Sequence, residues 1–437
     1  MTTRYVSLLG LGFGDCGKGL FTDFLTRRWQ AHTVVRFNGG AQAGHNVVLP
    51  DGRHHTFSQF GAATFQPGVT TVLAQPVVVH PTALHFEHRA LQQAGVHDAL
   101  ERLQIDARCR VTTPFHQAAG RLREWAEGHG SCGVGVGETV RQALAAPELA
   151  LHYGDLTDTA GARHKLEALR RRLHAEFAAH APAHDAALQE LALLADPEAA
   201  QHWLTAAQAI VRQVPPLSRD GIAARLARPG TVLFEGAQGV LLDEWRGFHP
   251  HTSWSTVSTA AVEAVLAELG LRAPVEHLGV LRSYLTRHGA GPLPTADAAL
   301  DGIAEPHNPD AGWQGAFRRG QPDALLLRYA LDAVGPLDGL VASHLDVFER
   351  VAALRWCSGY RMPAGEEVAA LPLSATPDLA HQARLTQLLK QARPVYNGTA
   401  LSTPRAWIER VEALSGQRVR WASFGATHAT VRPLAPC

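Results

Sequence analysis

The chain has 437 residues, with 40 Lys and Arg against 40 Asp and Glu, and 24 histidines. That balance gives no basic face for nucleic acid and no charged tail, and no apolar run nears the ~20 residues that span a bilayer. A hydrophobic share of 46% suffices for a large core, while five scattered cysteines without a C-x-x-C argue against a disulfide scaffold or structural zinc and fit a reducing cytosol.

A strand is expected over residues 5–9, with no leader segment before it. Then come Gly10-Leu11-Gly12-Phe13-Gly14-Asp15-Cys16-Gly17-Lys18-Gly19 and a helix whose apolar residues recur at helical spacing from Leu20. Residues 12–18 fit G-x-x-x-x-G-K in the strand–loop–helix context of a phosphate-binding loop. Its glycines let backbone N–H groups turn toward phosphate oxygens, the helix start adds partial positive charge, and Lys18 reaches the terminal phosphates. Gly19 follows Lys18, so no hydroxyl is there to hold Mg2+. Asp15, inside the loop, is placed to take over part of that task. A tight turn that binds nothing is the alternative.

A second strand is expected over 33–37, followed by Asn38-Gly39-Gly40-Ala41-Gln42-Ala43-Gly44-His45-Asn46. This puts His45 on a loop at the C-terminal edge of a sheet, where ligands bind in open α/β folds, or in an incidental surface turn. Short strands over 71–73 and 77–79, a helix over 82–93 and a strand over 108–112 follow. Residues 128–137 form a second glycine cluster, either a linker or a phosphate-facing loop. From about 160 to 214 the chain reads as amphipathic helices broken at Ala181-Pro182 and Asp196-Pro197, a structural insertion whose Arg170-Arg171-Arg172 run is a solvated face.

A buried strand over 231–235 runs into Gly236-Ala237-Gln238-Gly239, where Gln238 bonds a ligand amide or caps a turn. A strand over 278–281 precedes two irregular loops, 286–295 and 307–321, the second carrying Arg318 and Arg319. Paired arginines suit carboxylate or phosphate capture, or solvation. A strand from Gly339 ends at Asp346, which accepts two hydrogen bonds from guanine or caps a helix. The last strand, 419–422, leads into Ser423-Phe424-Gly425. The alternation predicts an α/β fold: one large, mainly parallel sheet flanked by helices, a single unit over 1–437.

Taken together, these loops resemble the adenylosuccinate synthetase family from the first strand to the last. The family's G-x-x-x-G-D-E-G-K-G matches 10–19 with Cys16 for Glu, and its G-G-H-N-A-G-H matches 39–45 with Ala41 and Gln42 substituted. F-E-G-A-Q-G stands intact at 234–239, T-R-x-G-A-G-P-x-P-T at 286–295, and the guanine-reading T-K-x-D corresponds to Ser343-His344-Leu345-Asp346. The resemblance implies a P-loop-related GTP-binding fold with loop and helical elaborations, a cytoplasmic homodimer, and a reaction. GTP phosphorylates the 6-oxygen of IMP, and the aspartate amine displaces that phosphate to give adenylosuccinate.

By resemblance the catalytic residues are Asp15 as base, His45 on the leaving diphosphate, and Lys18. GTP falls to Gly14, Asp15, Gly17, Lys18, Gly19, Gly44, His45, Asn46, His344, Asp346, Ser423 and Gly425. Mg2+ falls to Asp15 and the Gly44 carbonyl. The purine nucleotide falls to Asp15, Gln42, Ser131, Cys132, Arg141, Gln238 and Ser253, and the amino donor to Trp313, Gln314, Arg318 and Arg319. The departures concentrate on the acceptor side. G-T-T-G-R-G-x-G-P becomes Gly130-Ser131-Cys132-Gly133-Val134-Gly135-Val136-Gly137-Glu138. Arg141 is only the nearest candidate for the arginine that a partner subunit lends to the nucleotide phosphate. The aspartate loop G-A-T-T-G-R-R-R-R becomes Ala311-Gly312-Trp313-Gln314-Gly315-Ala316-Phe317-Arg318-Arg319. The alternatives are the same chemistry on a guanine-type nucleotide or with another amine, and a GTP-binding regulator without catalysis.

Overall fold

The structure, a computed structural model, describes residues 2–128, 130–179, 184–308, 313, 315–398 and 400–434. Ten strands form one sheet. From one edge they run Val431–Pro433, Val419–Ser423, Gly339–Ser343, Val275–Arg282, Thr3–Gly10, Gly230–Glu235, Thr33–Arg36, Thr70–Leu73, Leu103–Asp106 and Pro216–Leu217. Every neighbouring pair is parallel except the last at the Val431–Pro433 edge. Apolar runs such as Val-Ser-Leu-Leu suit strands covered on both faces. The first strand lies in the middle, so its glycine loop opens between neighbours on both sides.

Both faces carry apolar layers, one including Leu9, Phe37, Phe234 and Tyr329, the other Val6, Phe21, Leu233 and Trp421. Helices Thr159–Phe177, Asp185–Ala195 and Ala199–Gln213 share a third core with Pro81–Gln93 and Pro114–Glu127. Asp196-Pro197 separates two of them, and Ala181-Pro182 lies outside the described residues. Arg170 departs from the expected solvated run. It is buried and donates to the Leu194 carbonyl at 2.7 Å, tying two of these helices together, while Arg171 and Arg172 are exposed.

Other expectations shift. Leu103–Asp106 joins the main sheet although polar Gln104 and Asp106 interrupt its apolar pattern, and residues 78–79 pair with 110–111 outside it. His45 opens a hairpin strand, His45–Val48, paired with His54–Phe57, instead of lying on a loop. The two loops read as irregular supply an antiparallel ribbon, Leu285–His288 against Phe317–Gly320. The second glycine cluster ends in helix Val136–Ala145. Among the described residues no helix is long and apolar enough to cross a membrane.

Candidate active site

Helix Lys18–Trp29 starts without a side-chain cap, so its first N–H groups stay open to a ligand. Its N-cap, Gly17, has φ 89°, and a Cβ there would lie 2.7 Å from Ser343 Cβ. Both constraints demand glycine. The hairpin explains Gly19: a Cβ at this position would lie 2.7 Å from the Asn46 carbonyl oxygen. A Ser or Thr does not fit where Asn46 crosses the helix start. Lys18 is buried, and its Nζ donates to the Gly14 carbonyl at 2.5 Å.

Two cavities abut here. Both are lined by Gly14, Asp15, Lys18, Gly44, His45 and Asn46. One continues past Gly17, Gly19, His344, Asp346 and Gly425. Ser423 sits behind this wall and accepts the His344 backbone N–H at 3.3 Å. The other continues past Gln42, Ser131, Cys132, Gln238 and Ser253. Among the described residues three non-glycine residues have positive φ. Gln30 ends a helix, but Gln238 (64°) and His344 (61°) each line one cavity. Such strain, of order 1–3 kcal/mol, concentrates at functional sites.

Asp15 Oδ2 lies 3.3 Å from His288 Nε2. Burial alone would raise its pKa, but the His288 hydrogen bond and the charges of His288, Arg282 and Lys18 outweigh it and hold the carboxyl below its ordinary range. Asp15 is therefore ionised at neutral pH. His45 Nδ1 donates to the fully buried Glu235 at 2.6 Å. Burial pushes His45 down to about 4 against the opposing Glu235 charge, so the imidazole is neutral while the cavity holds no anion. Burial also raises the Cys16 and Cys132 thiols, leaving both neutral. Asp346 accepts from Arg350 at 2.6 Å.

The acceptor-side expectations fare differently. Arg141, read as an arginine lent to a partner's site, is exposed, lies 3.5 Å from Glu138 and lines neither cavity of its own chain. Trp313 packs 5.1 Å from the Trp125 ring and against Gly133, bolting one loop to another instead of lining the cavity. Arg318 is spent on bracing, donating to the carbonyls of Gly289 and, at 2.6 Å, Gly291. Arg319 is buried with its guanidinium 5.1 Å over the Phe317 ring. Gln314 lies outside the described residues.

Several lining groups escaped the sequence reading. Arg287 crosses the ribbon from Arg318, and burial, with that neighbouring charge, pushes it down to about 9. Arg282 and Glu305, a buried pair, line the Asp346 cavity. Trp254 lines the Gln238 cavity. Arg287 and Glu235, the latter lining neither cavity but holding His45, stood as fixed members of quoted motifs, so their positions carried the signal; His288, Arg282, Trp254 and Glu305 carried none.

An ionised carboxylate, a lysine and a histidine stand between two adjoining cavities beside a glycine loop of a mainly parallel sheet, the arrangement of a nucleotide-binding enzyme. The adenylosuccinate synthetase family model matches residues 7–431. Adenylosuccinate synthetase from Edwardsiella ictaluri (strain 93-146) is 33% identical over 383 residues, spanning 85% of this chain and 84% of its own. Among solved structures, fully ligated adenylosuccinate synthetase from Plasmodium falciparum has a TM-score of 0.78 at 20% identity, over 99% of this chain and 100% of its own. Cyanophage S-2L succinoaminodeoxyadenylate synthetase (PurZ), bound to dGMP and to dATP as energy donor, has a TM-score of 0.61 at 16% identity, over 100% of this chain and 97% of its own. The chain belongs to the adenylosuccinate synthetase family of GTP-dependent ligases, which serve purine biosynthesis.

Proposed function

We propose that this chain joins the amine of L-aspartate to a 6-oxopurine nucleotide, IMP by default, through a 6-phosphoryl intermediate at the expense of GTP. The carrying observation is that two cavities meet at Asp15, Lys18 and His45. GTP enters the Asp346 cavity with its terminal phosphate toward the junction. The acceptor enters the Gln238 cavity with its 6-oxygen toward the same point. Asp15 takes the ring N–H proton, which makes the 6-oxygen nucleophilic. That oxygen bonds the γ-phosphorus, and the bond to the bridging oxygen breaks with its electron pair leaving on GDP. Lys18 and His45, the latter protonated as phosphate charge arrives, stabilise the leaving diphosphate. The amine then attacks C6 and inorganic phosphate departs with the original oxygen.

Mg2+ fits the donors present. It takes one or two carboxylates and completes its shell from phosphates and water. Asp15 is ionised, and the Gly44 backbone lies on the same shared wall. When bound, the ion neutralises phosphate charge. The same reading includes a homodimer in the cytoplasm.

A second reading keeps the chemistry and changes the acceptor to a guanine-type nucleotide, or changes the amine. It is favoured by a Gln238 cavity lined by Cys132, Val136 and Trp254. Mass spectrometry of products from GTP with panels of purine monophosphates and amino acids tests both. Adenylosuccinate from IMP and aspartate supports the first, another purine adduct the second, and GTP consumption without any adduct rejects both.

A further inference from the structure

The wall shared by the two cavities contains one imidazole that no motif predicts. His307 lines both, beside Asp15, Lys18 and His45. Its ring lies flat on His54, with centroids 3.9 Å apart and planes 12° from parallel. His54 is itself fixed. Its Nε2 lies 2.9 Å from Asn46 Oδ1, which also accepts the Thr56 hydroxyl at 2.6 Å. An amide oxygen only accepts, so Nε2 carries the His54 proton. Burial, with the nearby His307 and His55, pushes His54 down to about 4, so it is an uncharged plate at neutral pH.

The hairpin register accounts for the arrangement. Asn46 pairs with Thr56 and Val48 with His54, so Asn46, His54 and Thr56 share one hairpin face. His45, one residue away, falls on the opposite face against Glu235. One hairpin thus presents two separate imidazole systems to the junction: His45 directly, and His307 through His54.

We infer that His307 is a further catalytic residue of the phosphoryl transfer and that His54 is its positioning residue; this rests on the ligase reading above. His307 donates an N–H to a non-bridging oxygen of the phosphoryl group as its bond to the GDP oxygen breaks and its bond to the acceptor oxygen forms. The proton stays on the imidazole throughout. Charge on those oxygens is spread in the transition state, and a pre-placed donor needs no reorganisation to meet it.

The test uses the full chain with His307→Ala, His54→Ala and His54→Phe, the last keeping a flat ring under His307. Turnover is followed as phosphate released from GTP with the acceptor and amine found by product screening. The contact is followed by NMR of 13C-labelled histidine on adding Mg2+ and a non-hydrolysable GTP analogue. Expected are a kcat loss of about a hundredfold in His307→Ala with a nearly unchanged GTP KM, and a smaller loss in His54→Ala that His54→Phe restores. The analogue should shift one imidazole signal that is missing from His307→Ala. Unchanged kcat in His307→Ala, no rescue by His54→Phe, or a His307 signal unmoved by the analogue overturns the inference. Failure of the ligase reading looks different: the parent releases no phosphate with any substrate pair, and the NMR arm then still decides whether His307 meets the nucleotide.

Discussion

Glu235→Gln isolates what holds His45. The Glu235 side chain is fully buried, with Oε1 accepting from His45 Nδ1 at 2.6 Å and Oε2 accepting the Ala62 N–H at 3.0 Å. Strand register places the buried Arg36 directly beside it. Glutamine keeps the shape but offers one oxygen to two donors. Facing His45, it sets an amide N–H₂ against the Ala62 N–H. Facing Ala62, it forces His45 into the other tautomer. An orphaned buried donor costs ~1–3 kcal/mol. The variant should therefore unfold at a lower temperature, losing about 1–3 kcal/mol. The catalytic effect is separate. Burial already disfavours the His45 cation, and Glu235 is the charge that opposes this. Without it, His45 meets GTP as a poorer donor, and kcat should fall about 10²–10³-fold. Thermal unfolding gives the first number. Steady-state phosphate release, well below the variant's melting range, gives the second. A kcat within about threefold of the parent, far short of a lost donor, would refute the claim that Glu235 acts through His45.

Asp15→Asn should fold normally and lose about 10²–10⁴ in turnover, because the amide cannot accept the purine proton; retained turnover in a kinetic assay removes Asp15 as the base. Asp346→Asn should weaken GTP and favour xanthosine triphosphate, with about a hundredfold change in the ratio of kcat/KM values; an unchanged ratio means Asp346 does not read the base. Arg318→Leu should raise the acceptor and amine KM values well above any change for GTP, since Arg318 braces the Gly289 and Gly291 carbonyls of the Gln238 cavity; equal effects on all three would place the ribbon elsewhere in the reaction. Stability should fall as pH drops from 7 toward 4. Burial holds His45 down to about 4 and His116 to about 3, so between their ordinary 6.5 and those values the unfolded chain binds more protons than the folded one. A melting temperature flat from pH 7 to 5 would contradict this.

The fold was legible where local pattern and sheet position agreed. The glycine loop, the buried strands and the helical stretch follow from periodicity alone. Leu103–Asp106 was not legible, because its place in the sheet comes from tertiary neighbours and not from its two polar residues. The glycine loop and its lysine were legible because the spacing of glycines at a strand–helix turn is rigid. Among the arginines expected on the acceptor side, Arg318 is held by carbonyls nearly thirty residues away in sequence, whereas Arg141 lies beside Glu138 on its own helix. Side-chain type does not reveal which partner claims a guanidinium. Gly19 shows the reverse: it looked like a defect in a nucleotide loop, and its reason is the Asn46 carbonyl of a hairpin that only the folded chain brings close.

The most direct test of the account follows one oxygen atom. The enzyme is given GTP, Mg2+, aspartate and IMP carrying 18O at position 6, and the released inorganic phosphate is analysed by mass spectrometry. If the cavities meeting at Asp15, Lys18 and His45 pass a phosphoryl group to the 6-oxygen, each phosphate released carries one 18O and the purine product has lost it. Unlabelled phosphate alongside adduct formation would mean that the phosphoryl group never reaches the acceptor oxygen.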